Sequence, residues 1–252
     1  MSFDIVILLG PNDIKSIEKQ LEYTRSNVIG YREIFILSYD TDISIQGCNM
    51  IYENIFPFQI DFVKDFFGKH HGKNNRNSWY YQQLLKFYVG ILVPKILDNY
   101  LILDADVYLY NPTPFMTGSK SIFNLTDSPY HEPYFTHLNN LHPTFQKRFV
   151  FSGISHHMIF NKDYVKELIE MVECHHNKPF WKAFIETVSE HTRHAPEAIE
   201  SGASEYEIYM SFMVYYHADQ ILFRKLKWED KPHNYNIETP TNLDYISVCH
   251  WM

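Results

Sequence analysis

Short, continuous apolar runs alternate with amphipathic stretches in the first half of the chain. Phe3 to Leu9 and Glu33 to Ser38 are mainly β-branched and apolar and read as buried strands, and Asn49 to Tyr52 reads as a third strand. Gly10-Pro11-Asn12-Asp13 breaks the first of them into a loop. Ile14, Ile17, Leu21 and Tyr23 then recur at helical spacing with charges between, and Asn12 or Asp13 is placed to cap that helix. Strand, helix, strand with short links predicts the opening of a parallel α/β sheet.

Trp79 to Val93 predicts a helix ended by Pro94 and Asp98-Asn99. Tyr100 to Leu103 is a strand that runs straight into Asp104-Ala105-Asp106, and Val107 to Tyr110 stays extended. Further strands are expected at Ile122 to Leu125, Ile154 to Phe160 and Tyr245 to Trp251. Asn161 caps a helix to about His175, Pro179 starts another to about His191, and Ala203 to His217 forms a third. Gly68 to Asn77 is polar, basic and turn-rich, and reads as a loop; Ser128 to Phe149, rich in His, Pro and Asn, gives no clear element. With neither repeat nor linker, residues 1–252 are expected to form one α/β domain with a mixed, mostly parallel sheet flanked by helices.

Composition narrows the function classes. Hydrophobic residues are 45% of 252 and aromatics 17%, enough for a sizeable core. The net charge of −8 argues against a broad nucleic-acid surface, which needs clustered Lys and Arg. Cys48, Cys174 and Cys249 form no C-x-x-C pair and read as reduced thiols. The first residues, MSFDIVILLG, lack a positive n-region and read as a strand rather than a signal peptide. No apolar run approaches the roughly 18 residues of a membrane span. A cytoplasmic protein without a transmembrane anchor is expected, in the host cytoplasm if the chain is viral.

The sharpest feature is LILDADVYLYNPTPF, Leu101 to Phe115. A buried strand delivers two carboxylates, Asp104 and Asp106, at its C-terminal end, where ligands sit in open α/β sheets. Such a pair repels unless a cation lies between them or one is protonated. A hard divalent ion, Mn²⁺ or Mg²⁺, with positions open to phosphate oxygens, answers that repulsion. Ordinary turn chemistry is the other reading, and the tripeptide alone does not separate the two.

At this motif the chain resembles the D-x-D-containing GT-A glycosyltransferases, nucleotide-sugar enzymes with one Rossmann-like domain. WYYQQLLKFYV, LILDADVYLY, ASEYEIYMSF and the late VCHW are more narrowly similar to an uncharacterised glycosyltransferase family of surface-polysaccharide loci and giant viruses. The resemblance implies a GT-A fold over 1–252, a nucleotide-binding half in 1–110 and an acceptor-binding half in 111–252. It implies a nucleoside-diphosphate sugar donor, UDP by superfamily frequency, and a glycan or other hydroxyl acceptor. Asp104 and Asp106 would clamp the metal, with His250 completing it, and Ala105 would lie against the donor. Gly10, Asn12, Asp40, Gln83 and Lys86 are the other expected nucleotide-sugar contacts, along with His156 or His157. Alternation along a strand lets only one of that histidine pair face the site. Asp40-Thr41-Asp42 is a second D-x-D, for which an Asp turn is an equal reading.

Lys86 interrupts an apolar helix, so it either snorkels to solvent or answers a negative group. Glu205 lies on the stripe of Ile208, Tyr209, Phe212 and Tyr216, facing the interior, where desolvation raises a carboxylate's pKa and suits a general base. Glu207 fits a capping box with Ser204 and is the substitute base. The resemblance implies a one-step displacement with inversion if Glu205 is that base, and leaves a retaining mechanism open if it is not. The competing classes are a D-x-D phosphatase, whose nucleophile lies near the chain start and is followed by an acidic pair, and a non-catalytic carbohydrate- or nucleotide-binding protein. Neither a Walker motif nor H-E-x-x-H occurs.

Overall fold

All seven residues of β1 (Phe3–Leu9) are buried, because both faces of the sheet it centres are covered. Alternate side chains serve separate cores: Val6 and Leu8 join one, Phe3, Ile5, Ile7 and Leu9 the other. The computed structural model describes residues 2–67, 76–127, 130–188 and 201–249. After β1 come α1 (Ile17–Asn27), β2 (Val28–Ile29), β3 (Tyr31–Ser38), β4 (Asn49–Tyr52), α2 (Ile60–Phe67) and α3 (Asn77–Leu92). The middle holds β5 (Asn99–Asp104), β6 (Val107–Leu109), β7 (Thr113–Pro114), β8 (Met116–Thr117), β9 (Lys120–Asn124), α4 (Glu132–Leu141) and β10 (His157–Asn161). The rest comprises α5 (Lys162–His176), α6 (Phe180–Glu186), α7 (Glu205–Tyr216), β11 (Ile221–Arg224), β12 (Trp228–Pro232) and β13 (Tyr245–Cys249).

The main sheet has the order β10-β5-β1-β3-β4. All its pairings are parallel except that of β10 with β5. This is the expected α/β architecture: a mixed, mostly parallel sheet flanked by helices. Helices α2, α3, α5, α6 and α7 pack on one face, and Ile17 and Leu21 of α1 on the other. A smaller sheet, β12-β13-β6, grows from the turn after β5.

Gly90 explains how α3 comes so close to β5. A Cβ there would lie 2.2 Å from the Tyr100 ring, closer than atoms can pack. One turn earlier on the same helix, Lys86 is thereby brought over the end of β5.

Several boundaries differ from the sequence reading. Residues 11–16 form turns, so α1 starts at Ile17 with Ser16 at the N-cap position; neither Asn12 nor Asp13 caps it. The strand expected from Ile154 starts only at His157, because residues 152–156 turn, with His156 at φ 59°. Helix α6 ends at Glu186 rather than near His191, the region 189–200 lying outside the described residues. The uncertain 128–149 stretch contains α4, and β11 and β12 were not anticipated. Asn161 and Ser204 cap α5 and α7 as expected. Among the described residues, no helix is long and apolar enough to cross a membrane.

Candidate active site at the carboxyl edge of the sheet

Strand β5 ends at Asp104, opposite Leu8 of β1, and Ala105-Asp106 turn the chain into β6. The antiparallel β10 starts at this same edge, where Asp104 N donates to His156 O at 3.0 Å. Lys86 from α3 and the first turn of α7 close over it.

Lys86 is the hub. Its Nζ donates to Asp104 Oδ1 at 2.7 Å and to Glu205 Oε1 at 2.6 Å, with Tyr206 Oη at 3.3 Å. The ammonium also lies 4.7 Å from the Tyr206 ring centroid. Burial disfavours its charge, but Asp104 and Glu205 outweigh burial and hold its pKa above the ordinary value. Lys86 therefore stays charged by answering two carboxylates rather than by snorkelling. Burial raises the pKa of Glu205, against the opposing pull of Lys86. Tyr206 Oη donates to Asp104 Oδ1 at 3.1 Å and stays protonated, its pKa raised by burial and by Asp104 and Glu205.

Asp106 lies on the other side of the turn. Ser247 Oγ of β13 donates to its Oδ2 at 3.1 Å. Burial, then the charges of Asp104 and Asp13, push its pKa up to about 7 despite that bond. Lys86 answers Asp104, whereas the side-chain bond to Asp106 comes from the neutral Ser247 hydroxyl, so a cation beside Asp106 would relieve its charge.

His156 lies beside Asp104, with Nδ1 3.9 Å from Asp104 Oδ2 and Nε2 3.5 Å from Asp230 Oδ1. Burial lowers its pKa, opposed by Asp104 and Asp230, so the imidazole is neutral at neutral pH. His157 points the other way, into Phe115 and Tyr245, and burial drives its pKa well down. Only His156 lies beside the carboxylates, and the reason is not strand alternation: His156 sits in the left-handed turn before β10, and His157 is the first residue of the strand.

Other sequence candidates separate from this cluster. Gln83 is buried and donates to Ala203 O at 3.3 Å, fixing the approach to α7. Its neighbour Gln82 faces the end of β1, where a Cβ on Gly10 would lie 3.9 Å from Gln82 Nε2 and 3.4 Å from Asp13 Oδ2. Asn12 is exposed in the turn after β1. Asp40 Oδ1 accepts from Asp42 N at 2.9 Å, the hydrogen bond of an Asp turn. Ala105 is buried between the two aspartates.

Glu207 forms only half of the expected capping box. Its N–H donates to Ser204 Oγ at 3.4 Å, but its carboxylate accepts from Ser152 Oγ at 2.5 Å and Gly153 N at 3.3 Å, with Lys147 3.5 Å away. It thus holds the loop that presents His156. His250, most of the Lys69 to Arg76 loop, His70, His71, His191 and His194 lie outside the described residues. Among the described residues, no three His, Cys, Asp or Glu side chains group to hold a metal. Tyr206, Asp230 and Ser247 were not singled out in the sequence. Tyr206 had the one usable signal, adjacency to Glu205.

No family model matches the chain, and no curated protein matches it. Among solved structures, it is similar to mouse xyloside xylosyltransferase 1 in its apo form. That match has a TM-score of 0.44 and 12% identity, and it covers 98% of this chain and 97% of the other.

Proposed function

We propose that this chain moves a sugar from a nucleoside-diphosphate sugar, UDP favoured, to a hydroxyl of a glycan acceptor, with a divalent cation and inversion. The observation that carries the reading is the convergence of Asp104, Lys86 and Glu205 at the carboxyl edge of the parallel sheet. These residues come from β5, α3 and α7, up to 119 positions apart, yet one ammonium holds both carboxylates. That edge is where an open α/β sheet binds its ligand.

The donor set fits Mn²⁺ or Mg²⁺: two carboxylates whose oxygens suit a hard ion and leave positions for phosphate oxygens. Asp104 and Asp106 would hold the ion, with His250 as the further expected donor. When bound, such an ion neutralises charge on the departing diphosphate. The chain's own residues do the rest. Gly10 and Asp40, at the ends of β1 and β3, border the nucleotide within 1–110. Lys86 aims the Asp104 and Glu205 carboxylates at one place, and reaches the diphosphate only by releasing one of them. His156, neutral, offers a nitrogen to the donor sugar. Glu205 accepts the acceptor hydroxyl's proton, and residues 111–252 hold the acceptor.

The test is donor turnover by Asp104→Ala and Asp106→Ala. Both variants should fold, by circular dichroism, and both should lose metal-dependent release of nucleoside diphosphate. Full release in either one removes the clamp.

A further inference from the structure

A second feature lies away from the carboxylate cluster. A groove of ≈ 940 Å³ runs between α4 and the following loop, lined in part by Tyr130, Asn139, Gln146, Arg148, Phe149 and Val150. Tyr130 is 64% exposed. One face of its ring stacks on Phe135, with centroids 4.6 Å apart and planes at 22°, which leaves the other face to the groove. The Arg148 guanidinium is held over the Tyr215 ring at 4.2 Å. The lining is therefore a fixed aromatic platform bordered by planar amide and guanidinium groups.

The inner end is a small enclosed space that shares Tyr130, Phe135, Lys147 and Val150 with the groove and adds Ser152 and Glu207. The Glu207 side chain is only 2% exposed. Its Oε2 has no hydrogen-bond partner among the described residues, and the nearest cation is Lys147 at 3.5 Å. Lys147, which also donates to Phe151 O at 2.7 Å, meets Oε2 only at this longer ion-pair distance, so a hydroxyl entering the inner end adds a hydrogen bond to that carboxylate oxygen. Glu207 is two residues beyond Glu205 on the first turn of α7, so the groove ends behind the turn that faces Asp104.

We propose that this groove binds a saccharide chain, with a pyranose face on Tyr130, ring hydroxyls on Asn139, Gln146 and Arg148, and one hydroxyl donating to Glu207. A pyranose pairs an apolar C–H face with a fringe of hydroxyls, which matches a ring bordered by planar donors and acceptors. A helical peptide needs a row of aliphatic anchors, and Pro143 and Val150 are the aliphatic members of this lining. Naming that saccharide the acceptor rests on the transferase reading; the binding itself does not.

The test titrates the full chain, without donor or metal, with xylotetraose, cellotetraose, chitotetraose and tetragalacturonate by calorimetry. At least one should bind, and Tyr130→Ala and Arg148→Ala should each weaken it about five- to tenfold. Both residues are exposed, so the variants should fold; neither touches the Asp104 cluster, so donor hydrolysis in water should be unchanged. Absence of binding by all four chains, or wild-type affinity in both variants, overturns the groove assignment. Saccharide binding that follows Tyr130 in a chain unable to turn over any donor keeps the groove and overturns the transferase reading.

Discussion

Lys86→Met is the perturbation whose outcome follows most directly from the geometry. The side chain is 7% exposed and bonded to two carboxylates, one on Glu205 that is 5% exposed and one on Asp104 that is 27% exposed. Methionine fills nearly the same volume, so packing is conserved and the charge alone is lost. Removing one partner of a buried ion pair costs about 3–5 kcal/mol. Asp104 recovers some hydration through its exposed edge, which reduces the expected loss to about 2–4 kcal/mol. For a chain of this size, that lowers Tm by roughly 4–16 °C. The deficit should depend on pH. Glu205's raised pKa means that its ionised form costs stability, and the cost appears as pH rises through that pKa. Without Lys86 the cost grows, so Lys86→Met should be nearly as stable as wild type at pH 4 and clearly less stable at pH 8. Lys86→Arg restores the charge and should recover part of the loss. Paired denaturation curves at the two pH values, with Glu205→Gln added to close a double-mutant cycle, provide the measurement. A deficit independent of pH, or a coupling energy near zero in the cycle, refutes the shared ion pair.

Gly90→Ala should cost about 1–3 kcal/mol in urea denaturation, since its new methyl must displace the Tyr100 ring; a change under about 0.5 kcal/mol contradicts that packing. Asp106→Asn should stabilise the metal-free protein at pH 8 by about 2 kcal/mol and have little effect at pH 4. The sign follows from a folded pKa of about 7 above an ordinary 3.8: Asp106's contribution is present below 3.8 and lost as pH rises toward 7. Equal Tm values for the variant and wild type at pH 8 remove this account of Asp106. Glu205→Gln should keep donor binding and lose transfer, while wild-type transfer should rise with pH as Glu205 ionises; normal transfer by the glutamine variant eliminates Glu205 as the base.

The main sheet was legible because β1, the centre of β5 and the second half of β3 are buried on both faces and read as apolar runs, while β4 at the edge buries only Ile51. Strand-end carboxylates were legible for the same reason, since a buried strand that stops at Asp104 must stop at an edge. Lys86 was visible as a charge on an apolar helix, but its two partners lie 18 and 119 residues away and only the tertiary fold joins them. Strand β12 was missed because it is short and half-exposed, and the Asp230 contact to His156 was missed with it. The half-formed capping box shows the limit of local pattern: Ser204 caps α7, while the Glu207 carboxylate turns to Ser152 and Lys147, contacts of high sequence separation.

The central claim is a metal-assisted transfer from a nucleotide sugar. Its most direct test incubates the full chain with Mn²⁺ and a panel of UDP-, GDP- and TDP-sugars and measures released nucleoside diphosphate. The account predicts release from at least one donor, dependent on Mn²⁺ and absent in Asp104→Ala. Lack of release from every donor, or release that persists in Asp104→Ala, contradicts it.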